Sequence, residues 1–270
     1  MAGNSSRRSL LVALLVSAAP SCHRATPAPA PNRDVTVFAA ASLRESFTIL
    51  GRKLEEQRTG ARVVLSFAGS QALRAQIEHD APADVFASAD QRHMQALVAG
   101  KRVLEPHLFA RNELCVVVSR AKASELTKLE ALPQAERIVL AAPEVPAGSY
   151  TAQMLEKAGR ELGRDFRARV DAHVVSREPD VRQVLAKVAL GEADAGIVYR
   201  TDALTQKDEV SGRPIPAAFN VLAEYTVAVT AGGPAPELGR AFVDLLLSPA
   251  GQAILASHGF LPPGAGAAPL

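Results

Sequence analysis

An α/β fold built on mainly parallel sheets is what this sequence predicts, and three observations carry the prediction. Short β-prone apolar runs alternate with segments of helical period along the 270-residue chain. The first five elements read strand, helix, strand, helix, strand, an order that demands parallel pairing with right-handed crossovers. Apolar residues make up 48% and charged residues 21%. That is enough apolar mass for one large or two medium cores, and it argues against global disorder.

Residues 35–40 (VTVFAA) are too few for a helix and suit a buried parallel strand. From Leu43 the period changes: Leu43, Phe47, Leu50 and Leu54 share one helical face, and Gly60 ends the segment. Val63, Val64, Leu65 and Phe67 predict a second strand, Ser70 opens a helix through Leu73 and Ile77, and residues 84–87 (DVFA) predict a third strand. Residues 114–118 (LCVVV) are strongly β-prone. Further strands are predicted at 138–141, 170–175 and 196–199, with helices over roughly 151–162 and 180–190 between them. Residues 225–230 predict a last strand. Two helices close the chain, the first over 236–247. The second starts at Ser248-Pro249, an N-cap followed by Pro at the first helical position, and stops near Gly259. Residues 264–270 are expected to form a frayed tail, and no internal repeat is evident.

The first residues read as an address rather than as part of the fold. Arg7 and Arg8 precede the apolar run 10–16, which is shorter than the roughly 20 residues a membrane span needs. A basic end, a short apolar middle and small residues predict a secretory signal over residues 1–21. Residues 6–11 (SRRSLL) also resemble a twin-arginine export motif, so both the Sec and the twin-arginine routes stand. Residues 19–22 (APSC) resemble a lipobox that would lipidate Cys22, and they equally suit ordinary signal peptidase. The next stretch, 22–33, sets Pro27, Pro29 and Pro31 alternately with Ala, a composition that favours an extended tether and so favours lipidation. Cleavage before Cys22 removes Arg7 and Arg8 and no acidic residue, leaving 28 basic and 28 acidic side chains. An anion bound by the mature chain is therefore not drawn in by a general positive field.

Composition and motifs exclude several function classes. A formal charge of +2, with no long basic run, argues against a nucleic-acid partner. Two cysteines build neither a disulfide framework nor a four-ligand zinc site, and Cys115 inside the apolar run reads as a buried small hydrophobe. Nucleophile-elbow, phosphate-loop, dinucleotide-binding and zinc-protease motifs are absent, and no two histidines stand as a helical ligand pair. Asp84 and Asp90 flank the third strand and read as caps of turns and helix starts, not as a carboxylate cluster with Asp80.

What remains is a set of small neutral residues where strands give way to helices. Residues 39–42 (AAAS), 67–70 (FAGS), 146–150 (PAGSY) and 179–182 (PDVR) each stand at the start of a predicted helix. A helix start presents unpaired backbone N–H groups and the positive end of a dipole, and small residues let an anion approach the backbone. Four such ends converging would form an anion cage without formal charge; each alone is an ordinary N-cap. Arg44, Arg74 and Arg182 follow these junctions at positions expected to be solvated.

Taken in order, residues 37–43 (VFAAASL), 67–70 (FAGS), 81–90 (APADVFASAD), 145–148 (VPAG), 180–182 (DVR) and 196–199 (GIVY) resemble the molybdate-binding proteins of bacterial ABC importers. The similarity spans about residues 34–261. It implies a two-lobed, type II periplasmic-binding-protein fold, each lobe a mainly parallel sheet flanked by helices. Residues 34–112 with 225–270 would form one lobe and 113–224 the other, hinged near Asn112 and Glu224. The oxyanion contacts it implies are Ser42 and Ser70 through hydroxyl and N–H, Ala147 and Val181 through N–H, and Tyr199 through its phenol. Each is a donor, which suits a fully deprotonated oxyanion. Gly69 stands where some relatives carry Ser, and Tyr150, which adjoins the Ala147 junction, is a candidate to line the cleft without being a ligand.

The resemblance implies a monomeric, exported import subunit without cofactor or catalytic residues. It would bind molybdate or tungstate and meet the permease and ATPase of an importer. A sulfate-type oxyanion, an exported enzyme using Ser42 or Ser70 as nucleophile, and a sensor docking on a signalling partner are the alternatives.

Overall fold

The computed structural model describes residues 1–2 and 34–265. The expected export signal, Cys22, the tether and residues 266–270 lie outside the described residues. The described strands are β1 (Asp34–Ala40), β2 (Arg62–Ala68), β3 (Val85–Ser88), β4 (His107–Asn112), β5 (Leu114–Ser119), β6 (Ile138–Ala141), β7 (Val174–Glu178), β8 (Ala195–Tyr199), β9 (Val210–Pro214) and β10 (Ala223–Val229). The helices are α1 (Arg44–Gln57), α2 (Ser70–Glu78), α3 (Gln91–Ala99), α4 (Pro146–Leu162), α5 (Phe166–Asp171), α6 (Val181–Ala189), α7 (Arg200–Thr205), α8 (Pro236–Leu247) and α9 (Pro249–Ser257).

The strands form two five-stranded sheets, ordered β2-β1-β3-β10-β4 and β7-β6-β8-β5-β9. In the first, β1 lies parallel to β2 and β3, and β10 runs antiparallel to β3 and β4. In the second, β6 lies parallel to β7 and β8, and β5 runs antiparallel to β8 and β9. Each sheet thus has four strands pointing one way and one reversed. The reversed strands, β5 and β10, are those the chain enters on crossing from one sheet to the other.

The VTVFAA run is buried on both faces because helices cover both. Val35, Val37 and Ala39 face a core shared with Phe47, Leu50 and Leu54 of α1 and Phe242 of α8. Phe38 faces the opposite side, with Leu73 and Ile77 of α2 and Met94 and Leu97 of α3. Leu43, Phe47, Leu50 and Leu54 are all buried, as the helical spacing requires. Ser248 caps α9 by accepting from the Gly251 N–H (3.2 Å), and Gly259 takes a positive φ of 87° just past its end.

The strand expected over 170–175 is instead the end of α5 followed by β7. Phe166 and Val170 lie one turn apart on a buried helical face, and that packing decides the local state. Helices α3 and α7 and strands β4 and β9 have no counterpart among the elements the sequence predicts. Strands β4 (HLFARN) and β9 (VSGRP) are sheet edges, where polar residues replace the buried apolar run. Cys115 is buried, its Sγ lies 3.3 Å from the Arg213 carbonyl, and burial pushes its thiol up to about 11.

Asp84 and Asp90 take structural roles. The Asp90 carboxylate accepts from the His93 N–H (3.0 Å) and caps α3. Asp84 is fully buried and accepts from the N–H groups of Thr36 (2.7 Å) and Ala235 (2.5 Å), tying β1 to the approach to α8. Asp84→Ala would orphan both buried donors. It is expected to lower the unfolding free energy by about 2–4 kcal/mol, read as a reduced urea midpoint at unchanged slope. An unaltered midpoint would contradict the role given to this carboxylate.

Candidate functional site

A small cavity lies where helix starts from the two sheets meet. It is lined by Ala40, Ala41, Ser42, Ala68, Gly69, Ser70 and Ala89 from the first sheet and its connections, and by Val145, Pro146, Ala147, Asp180, Val181 and Tyr199 from the second. All five predicted contacts, Ser42, Ser70, Ala147, Val181 and Tyr199, are brought together here. The cavity has a volume of about 10 Å³, so it suits a very small guest.

Each wall is built from a local rule. Ser42 lies in a 3-10 turn (Ala41–Leu43) leading into α1, Ser70 begins α2, Pro146 and Ala147 begin α4, and Val181 begins α6. First-turn N–H groups have no intrahelical acceptor. The N-cap residues Ala40, Gly69 and Val145 supply no side-chain acceptor in its place. Asp180 does cap α6, but its Oδ1 takes the N–H groups of Arg182 (2.8 Å) and Gln183 (3.1 Å), one and two residues beyond Val181.

Close backbone approach needs glycine at two places, between the two halves at Gly69 and within the second half at Gly148. A Cβ at Gly69 would lie 2.4 Å from the Pro179 carbonyl oxygen and equally close to Gln71 Oε1. A Cβ at Gly148 would lie 2.0 Å from the Ala142 oxygen, where α4 starts against the end of β6. Any side chain at position 69, serine included, would therefore meet the Pro179 carbonyl.

The polar side chains are arranged as donors. Ser70 Oγ accepts from the Ala89 N–H (3.0 Å), which leaves the serine hydrogen free. Tyr199 is 1% exposed, and its hydroxyl is buried without a hydrogen-bond partner among the described residues. Burial, with Tyr225 and Tyr150 nearby, holds its phenol well above the ordinary tyrosine range, so it keeps its proton. Asp180 is the only charged residue among the lining, and its carboxylate is occupied by the α6 N-terminus and by Gln183 Nε2 (2.8 Å). No lysine, arginine or histidine lines the cavity among the described residues, and no group of three or more His, Cys, Asp or Glu is placed to hold a metal ion.

A family profile described as bacterial extracellular solute-binding protein matches residues 35–261. The chain belongs to this family. Molybdate-binding protein ModA of Mycobacterium tuberculosis is 35% identical over 262 residues, 94% of this chain and 97% of the relative. Molybdate-binding protein ModA of Escherichia coli is 34% identical over 256 residues, 92% and 96% respectively. The periplasmic molybdate-binding protein of Azotobacter vinelandii superposes with a TM-score of 0.73 at 24% identity, covering 84% of this chain and 98% of that one; at this identity the likeness concerns the fold.

In this solute-binding protein the charged groups stand around the cavity and fasten one half to the other. Arg182, expected to be solvated, is instead largely buried between Glu45 of α1 and Asp202 of α7. It pairs with Glu45 (Nη1–Oε1 3.0 Å), and its Nε lies 2.6 Å from Asp202 Oδ1. Burial pushes the Asp202 carboxyl up to about 6, against the pull of Arg182. Arg44 and Arg74 do stay nearer solvent, Arg44 over the Phe67 ring (4.7 Å) and Arg74 beside Glu78 (3.5 Å). On the opposite rim His93 Nε2 (2.9 Å) and Arg92 Nη2 (3.0 Å) both meet the Glu144 carbonyl, and Gln71 Nε2 donates to the Pro179 carbonyl (2.7 Å). Tyr150 is absent from the lining; its hydroxyl accepts from the Glu224 N–H (3.3 Å).

Two residues behind the wall escaped the sequence reading. Tyr225 Oη lies 2.9 Å from Ser42 Oγ, and Asn112 Nδ2 lies 3.4 Å from Tyr225 Oη. A β-prone run containing a tyrosine was the only signal for the first. The approach of Pro179 to Gly69 generates a direct expectation. Gly69→Ala should push these segments apart and weaken ligand binding by roughly tenfold or more, about 1.4 kcal/mol. Calorimetry against wild type checks it, and unchanged affinity would contradict the crowding.

Proposed function

We propose that this protein binds molybdate, and tungstate in the same way, in the cavity between its two sheets and delivers the anion to the permease and ATPase of an ABC importer. The observation that carries the proposal is the lining itself: buried, uncharged hydrogen donors, with the one carboxylate, that of Asp180, engaged by the start of α6. Ser42 and Ser70 would donate through hydroxyl and N–H, Ala147 and Val181 through N–H, and Tyr199 through its unpartnered phenol. A fully deprotonated oxyanion offers only acceptors, so every oxygen finds a hydrogen. A protonated anion such as hydrogen phosphate would bring a donor with nowhere to point, and burying an unmatched donor is costly. The names of the curated relatives supply the choice of molybdate among such anions.

On this reading residues 34–112 with 225–270 form one lobe, 113–224 the other, and the chain acts as a monomer without cofactor. The export signal 1–21, the tether 22–33 and a lipidated Cys22 would place it outside the inner membrane, in the periplasm or anchored to a membrane surface. Binding would favour a closed arrangement, since donors come from both sheets and only their joint contact distinguishes closed from open. Neither Ser42 nor Ser70 is hydrogen-bonded to a histidine or carboxylate among the described residues, whereas a serine nucleophile needs a base within reach. This supports a binding role over an enzymatic one.

Isothermal titration with molybdate, tungstate, sulfate and phosphate tests the proposal. Heat is expected with the first two and little with phosphate; no heat with either of the first two would end it. Tyr199→Phe keeps the ring and removes one donor to an anion, and is expected to weaken molybdate binding by about 1.5–3 kcal/mol. Wild-type affinity in that variant would take Tyr199 out of the site.

A further inference from the structure

Ser42 has a hydroxyl that can donate or accept, and its surroundings decide which. Asn112, Tyr225, Ser42 and Thr201 are all buried, so their hydrogen-bond partners within the protein carry the argument. Asn112 Oδ1 accepts from the Glu113 N–H (3.0 Å), which fixes the orientation of its amide. Its Nδ2, which can only donate, then faces Thr201 Oγ1 (2.8 Å) and, at longer range, Tyr225 Oη (3.4 Å). A hydrogen directed at Tyr225 Oη from Asn112 leaves the tyrosine's own hydrogen to Ser42 Oγ, 2.9 Å away. With an oxygen lone pair so occupied, Ser42 turns its hydrogen to the cavity. For Ser70 the same polarity is set by a backbone group, the Ala89 N–H.

We infer that Asn112 and Tyr225 are positioning residues that orient Ser42 as a hydrogen donor and thereby help the site prefer a fully deprotonated oxyanion over a protonated one. This rests on the reading of the cavity as an oxyanion site. Asn112 ends β4 at one crossing between the sheets, Tyr225 lies in β10 after the other, and Thr201 stands in α7. The relay thus joins both halves behind the cavity wall. Burial holds the Tyr225 phenol well above the ordinary tyrosine range, so its hydrogen is present throughout the neutral range.

Two near-isosteric changes act on the relay in different ways. Tyr225→Phe keeps the ring that packs edge-on against Tyr199 (5.7 Å) and Phe260 (5.3 Å) and removes the hydrogen that holds Ser42. Asn112→Asp, when ionised, offers only acceptors. Tyr225 then donates to the carboxylate, Ser42 donates to Tyr225, and a lone pair faces the anion. The experiment is calorimetric titration of wild type, Y225F and N112D, each also in a Ser42→Ala background, with molybdate, sulfate and phosphate. Melting of each free protein is recorded alongside.

Y225F is expected to weaken molybdate binding several-fold and to narrow the margin over phosphate. N112D is expected to weaken it on the order of tenfold to a hundredfold. In the Ser42→Ala background most of each loss should vanish, because the coupling runs through that hydroxyl. Repulsion by a new carboxylate, or loosened packing, would persist there and would alter binding equally in both backgrounds. Equal losses in both backgrounds, or no loss in either variant, overturns the inference while leaving the site standing. Wild-type protein that binds none of the three anions overturns the reading of the site and the relay with it.

Discussion

Hydrogen-bond donors without side-chain caps, gathered in a small buried pocket, are the constraint on which the rest of this molecule depends. A free donor in that setting is costly unless something accepts from it. The helix starts reach the pocket from both sheets with their first N–H groups uncapped at three of four ends. Ser70 is left with its hydrogen by the Ala89 N–H, and Tyr199 has a hydroxyl with no hydrogen-bond partner among the described residues. Small residues make the arrangement possible, since alanines, Gly69 and Gly148 allow backbone to approach backbone where a larger side chain would collide.

Formal charge has been moved to the margins and given another task. Arg182 begins no cage; it spans Glu45 and Asp202 and joins α1 to α7 through the start of α6. Arg92 and His93 meet one carbonyl of the facing half. Asp180, the one acid in the lining, has its oxygens committed to the α6 start. A guest would therefore be judged by how many hydrogens it can accept, with little contribution from net charge. That accords with a mature chain expected to carry equal numbers of acidic and basic side chains.

The fold follows from the same economy of crossings. β5 and β10, each entered on crossing, are the reversed strands of their sheets. Both crossings bring a residue behind the cavity wall: Asn112 ends β4 just before the first, and Tyr225 lies in β10 after the second. The connection that joins the halves is also the place where the hydroxyl of Ser42 finds its partner.

Much of this was legible in the residues alone. Strand runs such as VTVFAA and LCVVV, the face of Leu43, Phe47, Leu50 and Leu54, and the small residues at four helix starts are local patterns, and local patterns set local structure. The five contacts that the resemblance implies, four of them at those junctions, share one cavity. Edge strands β4 and β9 and the six-residue α5 and α7 were not legible, because their stability comes from a neighbour rather than from their own period. Nor could sequence distinguish Arg182 as a buried bridge from Arg44 near solvent, since both simply follow a helix start. Which donors lose their partners, which charge is buried, and which way the hydroxyl of Ser42 points are questions of distance between residues far apart in the chain. Only the folded arrangement brings those residues together, and so only the tertiary structure decides them.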